Sequence, residues 1–234
     1  MKTKLFVVCV HDVAPRAERE MAGLWPRLDW LVGPAVSAAI IPAGSGPSWQ
    51  KAGRSLLATL RSAERLLHGF SHHRKPGLSC VSMACGQSDE LAGLPAGEIG
   101  ERLRKGQQIM TETFGHPAEG FLPPAWRTGV LTMPELAREG MMFLVDYTSL
   151  TTPDGRKIRL ATYSWDWGPW AALGKAGSAL GRLSGLRTDC VPVVAIHPCD
   201  ERRGYLPSAL DMVKGLLAAG HEPVTFRELV RMHR

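Results

Sequence analysis

Short apolar runs alternate with longer stretches of helical periodicity from one end of the chain to the other, with no repeat, low-complexity tract or linker between them. The runs fall at residues 5–10, 35–41, 65–67, 120–122, 142–145, 158–163, 191–196 and 222–225, and most are too uniformly apolar for a sheet with one wet face. Strands buried on both faces read this way, as they do in a parallel sheet covered by helices. The covering helices are predicted at 16–31, 48–62, 96–114, 134–139, 207–219 and 226–232. In 96–114, Ile99, Leu103, Met110 and Phe114 recur near a 3.6-residue period while Glu101, Arg102, Arg104 and Lys105 take the other side. The resulting β-α-β order predicts an α/β fold spanning 1–234 as a single domain.

Composition narrows the class. At 234 residues and 44% hydrophobic content the chain has the length of one α/β barrel. No run approaches the roughly 18 apolar residues of a membrane span, so no stable membrane insertion is expected. The 5–10 run is shorter than the roughly 7–15 residues of a signal-peptide core, which favours a cytoplasmic protein. Five cysteines (Cys9, Cys80, Cys85, Cys190, Cys199) at unmatched spacings favour reduced thiols, and Cys80 and Cys85 lack a second pair for a structural zinc. The net charge of +6 comes from Lys and Arg dispersed along the chain, which fits a solvated surface or anionic substrates better than a nucleic-acid code.

The polar chemistry gathers where the strands end. His11 and Asp12 follow the first predicted strand, His68 the third, Pro123 to Arg127 the fourth and His197 the seventh. In parallel α/β folds the C-terminal strand ends form the face on which sites are built. His68 and His72 sit four residues apart, and with Asp12 they make three ligands, the number a catalytic divalent metal takes while leaving one position open. Asp12 is also suited to a turn or a helix N-cap before Pro15. His11 fits a ligand, a base or a strand-end histidine, and His197 a general acid or a structural histidine. Trp165 and Trp167 flank Asp166 in a cluster suited to stacking a sugar face and orienting a catalytic histidine, or to packing. Trp126 and Arg127 fit a pocket wall with a cation, or a rigid surface loop.

Five segments taken in order resemble the polysaccharide-deacetylase superfamily, the NodB-like carbohydrate esterases, and within it the divergent DUF2334 branch. They are Val10-His11-Asp12-Val13-Ala14-Pro15, Leu67-His68-Gly69-Phe70-Ser71-His72, Asp89-Glu90-Leu91-Ala92-Gly93-Leu94, Gly120-Phe121-Leu122-Pro123-Pro124-Ala125-Trp126 and Ile196-His197-Pro198-Cys199-Asp200. The resemblance implies a distorted (β/α)7 barrel and a metal-dependent hydrolase that removes acetyl from an N-acetylated sugar or glycoconjugate, with Zn2+ the expected ion. Asp12, His68 and His72 map onto its metal triad, and His197 onto the histidine that protonates the leaving amine. Asp166 lies near the position of the aspartate that orients that histidine. Better-known members place two adjacent aspartates after the first strand. Here His11 holds the first place, so the base is His11, Asp200 or absent. The usual arginine-first segment is replaced by Pro123 to Arg127, and a backbone N–H near Ala125 or Trp126 is the expected oxyanion donor.

Two other readings stay open at this point. One is a barrel of the same fold that binds sugar or metal without turnover. The other takes two histidines and one carboxylate as the facial triad of a non-haem iron oxygenase, whose sandwich would need alternating strands in place of these continuous runs.

Overall fold

Alternation along β1 (Lys4–Val13) sets the layering of the molecule. Leu5, Val7 and Cys9 belong to one apolar cluster, and Phe6, Val8 and Val10 to another. The computed structural model describes residues 3–73, 89–165 and 189–233. Its further elements are α1 (Glu18–Val32), β2 (Val36–Ile40), α2 (Arg54–Ser62), β3 (Glu64–Leu67), α3 (Ala96–Phe114), β4 (Gly120–Phe121), α4 (Met133–Arg138), β5 (Phe143–Val145), β6 (Ser149–Thr151), β7 (Lys157–Ser164), β8 (Val191–Ile196), α5 (Leu206–Ala218), β9 (His221–Pro223) and α6 (Phe226–Met232).

The strands β2 to β8 lie side by side in chain order, and β1 pairs with both β2 and β8, which closes a ring of eight. Seven of the eight run parallel; β6 is antiparallel to both β5 and β7. The architecture is therefore a (β/α)7-type barrel with one reversed strand in its wall. One apolar cluster, with Val7, Cys9, Leu66, Leu122, Phe143, Leu150, Leu160 and Val193, draws on all sides of the ring and fills its interior. The other joins the outward strand positions to Leu24, Leu28, Leu60, Leu103, Met110 and Val213 of the covering helices. The β9 strand pairs with the first residues of β1, and Phe226, Leu229 and Val230 of α6 plug the N-terminal end of the barrel.

Two expectations change. The structure adds β6, whose Ser-Leu-Thr sequence carries too few apolar positions to register as a strand. It is seeded by Asp146, whose Oδ1 accepts the Thr148 and Ser149 N–H groups in a tight turn. The helix expected over 48–62 divides into a short 3-10 turn at Trp49–Lys51 and α2, because Gly53 is extended and presents its N–H to Glu18 Oε2 at 3.1 Å. By contrast, α3 stops where Gly115 takes a left-handed conformation. Among the described residues no helix is long and apolar enough to cross a membrane.

Candidate metal centre and active site

The inward parity of the strands carries to and just beyond their C-terminal ends. In β1 the interior positions 5, 7 and 9 lead to His11, in β3 Leu66 leads to His68, and in β8 Val193 and Ala195 lead to His197. Period-2 geometry thus delivers three imidazoles to one mouth of the barrel. The ring centroids of His11 lie 5.3 Å from His68 and 5.1 Å from His197. All three histidines are buried.

Asp12 would point outward by the same count, but the register of β1 against β2 shifts between Val10 and Val13. Asp12 there adopts φ +53°, a bulge that turns its carboxylate toward the histidines. Asp12 Oδ1 lies 3.2 Å from His68 Nε2 and 3.1 Å from His72 Nε2. Asp12, His68 and His72 form one group whose donor atoms all fall within 4.8 Å of one another. His68 Nδ1 lies 2.7 Å from the Leu122 carbonyl, which can only accept, so Nδ1 carries a proton, and Nε2 faces the carboxylate with either a second proton to donate or a lone pair. Two electron-rich atoms that close need a proton or a cation between them. Ligands at about 2.0–2.2 Å from one ion sit roughly 3.3 Å apart, so the donor set fits a divalent cation.

Electrostatics agree with this fit. Burial pushes His72 down to about 4 despite the nearby Asp12. The Asp12 carboxyl is raised by burial, but His72 and the His68 hydrogen bond outweigh that and hold it well below the usual carboxylate range. His11 is pushed well below the ordinary histidine value, first by burial and then by His197 and His68. Its Nε2 is buried without a hydrogen-bond partner among the described residues.

The remaining expected residues divide. Trp126 lies against His11 with centroids 4.7 Å apart and meets Tyr147 edge-on at 5.6 Å, so it walls the mouth. Arg127 extends from the rim, its side chain half exposed, to an ion pair with Asp89 at 3.2 Å. Trp165 is buried in the outer apolar layer with 4% exposure, the packing alternative of the two open to it. Asp200 is fully buried. Its Oδ2 accepts the His197 N–H at 2.7 Å and lies 3.8 Å from His197 Nδ1, so it helps to hold His197. Asp166 and Trp167, like Cys80 and Cys85, lie outside the described residues.

Of the two amides expected as oxyanion donors, the Trp126 N–H donates to the Pro123 carbonyl, and the next N–H, of Arg127, to the Pro124 carbonyl, which leaves the Ala125 amide. Ala125 and Trp126 both take positive φ, +52° and +60°, in the segment that faces His11.

Sequence reasoning missed Glu90 as a site residue. Fully buried, it accepts hydrogen bonds from the main chain of the loop that carries His72. A Cβ on Gly69 would come within 2.6 Å of Glu90 Oε2 and of Pro124 Cγ, so that glycine allows the carboxylate to reach the loop. An acidic residue next to Asp89 carries no local signal of this, because its partners lie 18 to 20 residues away.

No family model and no curated protein matches the sequence. Solved structures do. The peptidoglycan deacetylase PdaC from Bacillus subtilis aligns with a TM-score of 0.59 at 15% identity, over 98% of this chain and 91% of that one. A family 4 acetyl xylan esterase from Clostridium thermocellum, in complex with a cobalt ion, aligns at 0.57 and 18% identity, over 98% and 91%. A CE4 family pseudoenzyme from Bacillus anthracis aligns at 0.53 and 11% identity, over 97% and 66%. A mutant of that pseudoenzyme has restored enzymatic activity. At these identities the likeness shows the fold, which is the NodB-like (β/α)7 barrel.

Proposed function

We propose that this chain is a metal-dependent hydrolase that removes an acetyl or similar acyl group from the nitrogen of an amino sugar or glycoconjugate precursor. The observation that carries the reading is the convergence of Asp12, His68 and His72 at the C-terminal mouth of a barrel of this fold. The five motif segments favour the DUF2334 branch. A divalent ion, Zn2+ by its N/N/O donor set, would supply a Lewis acid and an acidified water when bound there.

The chain's own groups fit the proton transfers that amide hydrolysis needs. His11, kept unprotonated by burial and by neighbouring imidazoles, has an open Nε2 to accept a proton from the attacking water. His197, across the mouth and braced by Asp200, is assigned the proton delivered to the departing nitrogen. Asp166 is its proposed orienting partner. The Ala125 N–H is the candidate donor to the developing oxyanion. The Trp126 face, backed by Tyr147, offers an apolar wall on which a sugar ring stacks, with Arg127 and Trp167 further candidates for substrate contact.

Elemental analysis of wild type, Asp12→Ala and His72→Ala, with acetate release from acetylated amino sugars assayed on the same samples, tests this. Near-stoichiometric metal in wild type and its loss in both variants is expected. His197→Ala should keep its metal while the rate falls about 10²–10⁴-fold. A metal-free wild type that cannot be reconstituted, or metal lost from His197→Ala but kept by His72→Ala, would overturn the assignment. A barrel that binds without turnover is the second reading, motivated by His11 standing where an aspartate is usual. Bound metal with no acyl release from any acylated sugar would favour it.

A further inference from the structure

Resting on that metal-site reading, we infer that Glu90 is the positioning residue that sets the site's affinity for its ion, by holding the third ligand, His72, through the main chain. The other two ligands are fixed by the barrel wall. Asp12 is part of β1, and His68 directly follows β3, its N–H bonded to the Ile40 carbonyl at 2.8 Å and its Nδ1–H to Leu122. Among the described residues His72 has no such support from a strand. It sits on an irregular loop with φ +57°, a conformation uncommon for any residue but glycine and held at some cost.

Glu90 supplies the support instead. A single carboxylate oxygen, Oε2, accepts three successive amides: Phe70 N–H at 3.0 Å, Ser71 N–H at 3.0 Å and His72 N–H at 2.6 Å. The other oxygen, Oε1, takes the Arg102 guanidinium at 2.7 Å, and Arg102 reaches Glu98 at 3.0 Å, so the loop is anchored to α3. Arg102 also neutralises a carboxylate that is fully buried. With no contact to the metal position itself, Glu90 acts only through where it holds His72. If the amides lose their common acceptor, φ at residue 72 relaxes and the imidazole leaves Asp12, which reduces three ligands to two.

The test is a Co2+ titration of the metal-stripped full chain, read by visible d–d absorbance, for wild type and Glu90→Gln, with the fold of each checked by circular dichroism without metal. The Co2+ dissociation constant of Glu90→Gln should rise about 10–100-fold, the range typical for losing a group that orients a ligand. Its bound spectrum should weaken, as for an ion that replaces a protein ligand by water. A second variant, Glu90→Leu with Arg102→Met, removes both charges together, an exchange that buried ion pairs commonly tolerate. It should show the same loss. Either folded variant binding Co2+ within about threefold of wild type overturns the role of Glu90 and leaves the metal site intact, as does failure of both variants to fold, which would make Glu90 purely structural. A wild type that takes up no Co2+ overturns the metal-site reading itself.

Discussion

At the scale of single residues, His72 makes the metal-free protein acid-sensitive in a predictable window. Its folded value of about 4 lies below the ordinary 6.5, so between those pH values the unfolded chain binds the extra proton and the folded one does not. Stability is therefore fully present above about pH 6.5 and is lost as pH falls toward 4, by roughly 3 kcal/mol at most from this residue. Asp12 adds a loss in the same direction below its ordinary 3.8, since its folded value is depressed, and His11 adds to the loss below 6.5. Urea unfolding of metal-free wild type and His72→Gln at pH 7 and pH 4.5 isolates the share of His72. The wild type should lose more stability than the variant, and equal losses would refute the assignment. His11, His68 and His197 were legible because a period of two along a buried strand carries into the next residues. The turn of Asp12 inward was not, since it needs a bulge that apolar patterning does not encode.

At the scale of elements, β4 is only two residues long and depends on β5 for its packing. Gly120 sits there, and a Cβ at that position would approach the Phe143 ring to 2.1 Å at Cε2 and 2.5 Å at Cζ. The ring cannot retreat freely, being fully buried, with the Phe226 ring 6.2 Å away. Gly120→Ala should therefore cost about 1–3 kcal/mol by overpacking, a fall in Tm of several degrees for a chain of this size. A Tm within about a degree of wild type would mean that the barrel interior is looser than this geometry shows. The same logic separates what the pattern could and could not reveal. The helix over 96–114 is amphipathic and ends at a glycine, so both its face and its stop are local signals. The break at Gly53 answers to Glu18, a partner 35 residues away. Likewise β6 exists because β5 and β7 flank it, not because Ser-Leu-Thr prefers to be a strand.

At the scale of the whole molecule, the barrel has two ends with separate tasks, and the first residue of β3 shows it. Glu64 begins that strand and His68 follows its last residue, four positions or about 13 Å further along. Glu64 is buried at the end that α6 plugs, where it accepts the Ser37 hydroxyl and the N–H groups of Phe226 at 3.0 Å and Arg227 at 2.6 Å. Those two amides open α6 and have no helical partner of their own, so the carboxylate ties the plug to the wall. Burial raises its pKa, with Ser37 and the amides of Arg227 and Phe226 opposing the rise. Glu64→Ala would leave buried donors unmatched at about 1–3 kcal/mol for each, while the C-terminal mouth keeps every contact described for it. The expected outcome is a large fall in thermal midpoint with metal content and acetate release per folded molecule unchanged. In the parallel barrels the N-terminal end serves stability and the C-terminal end chemistry. If Glu64→Ala instead lost metal at temperatures where it stays folded, the two ends would be coupled through β3, and His68 would owe its position to the plug as well as to Leu122.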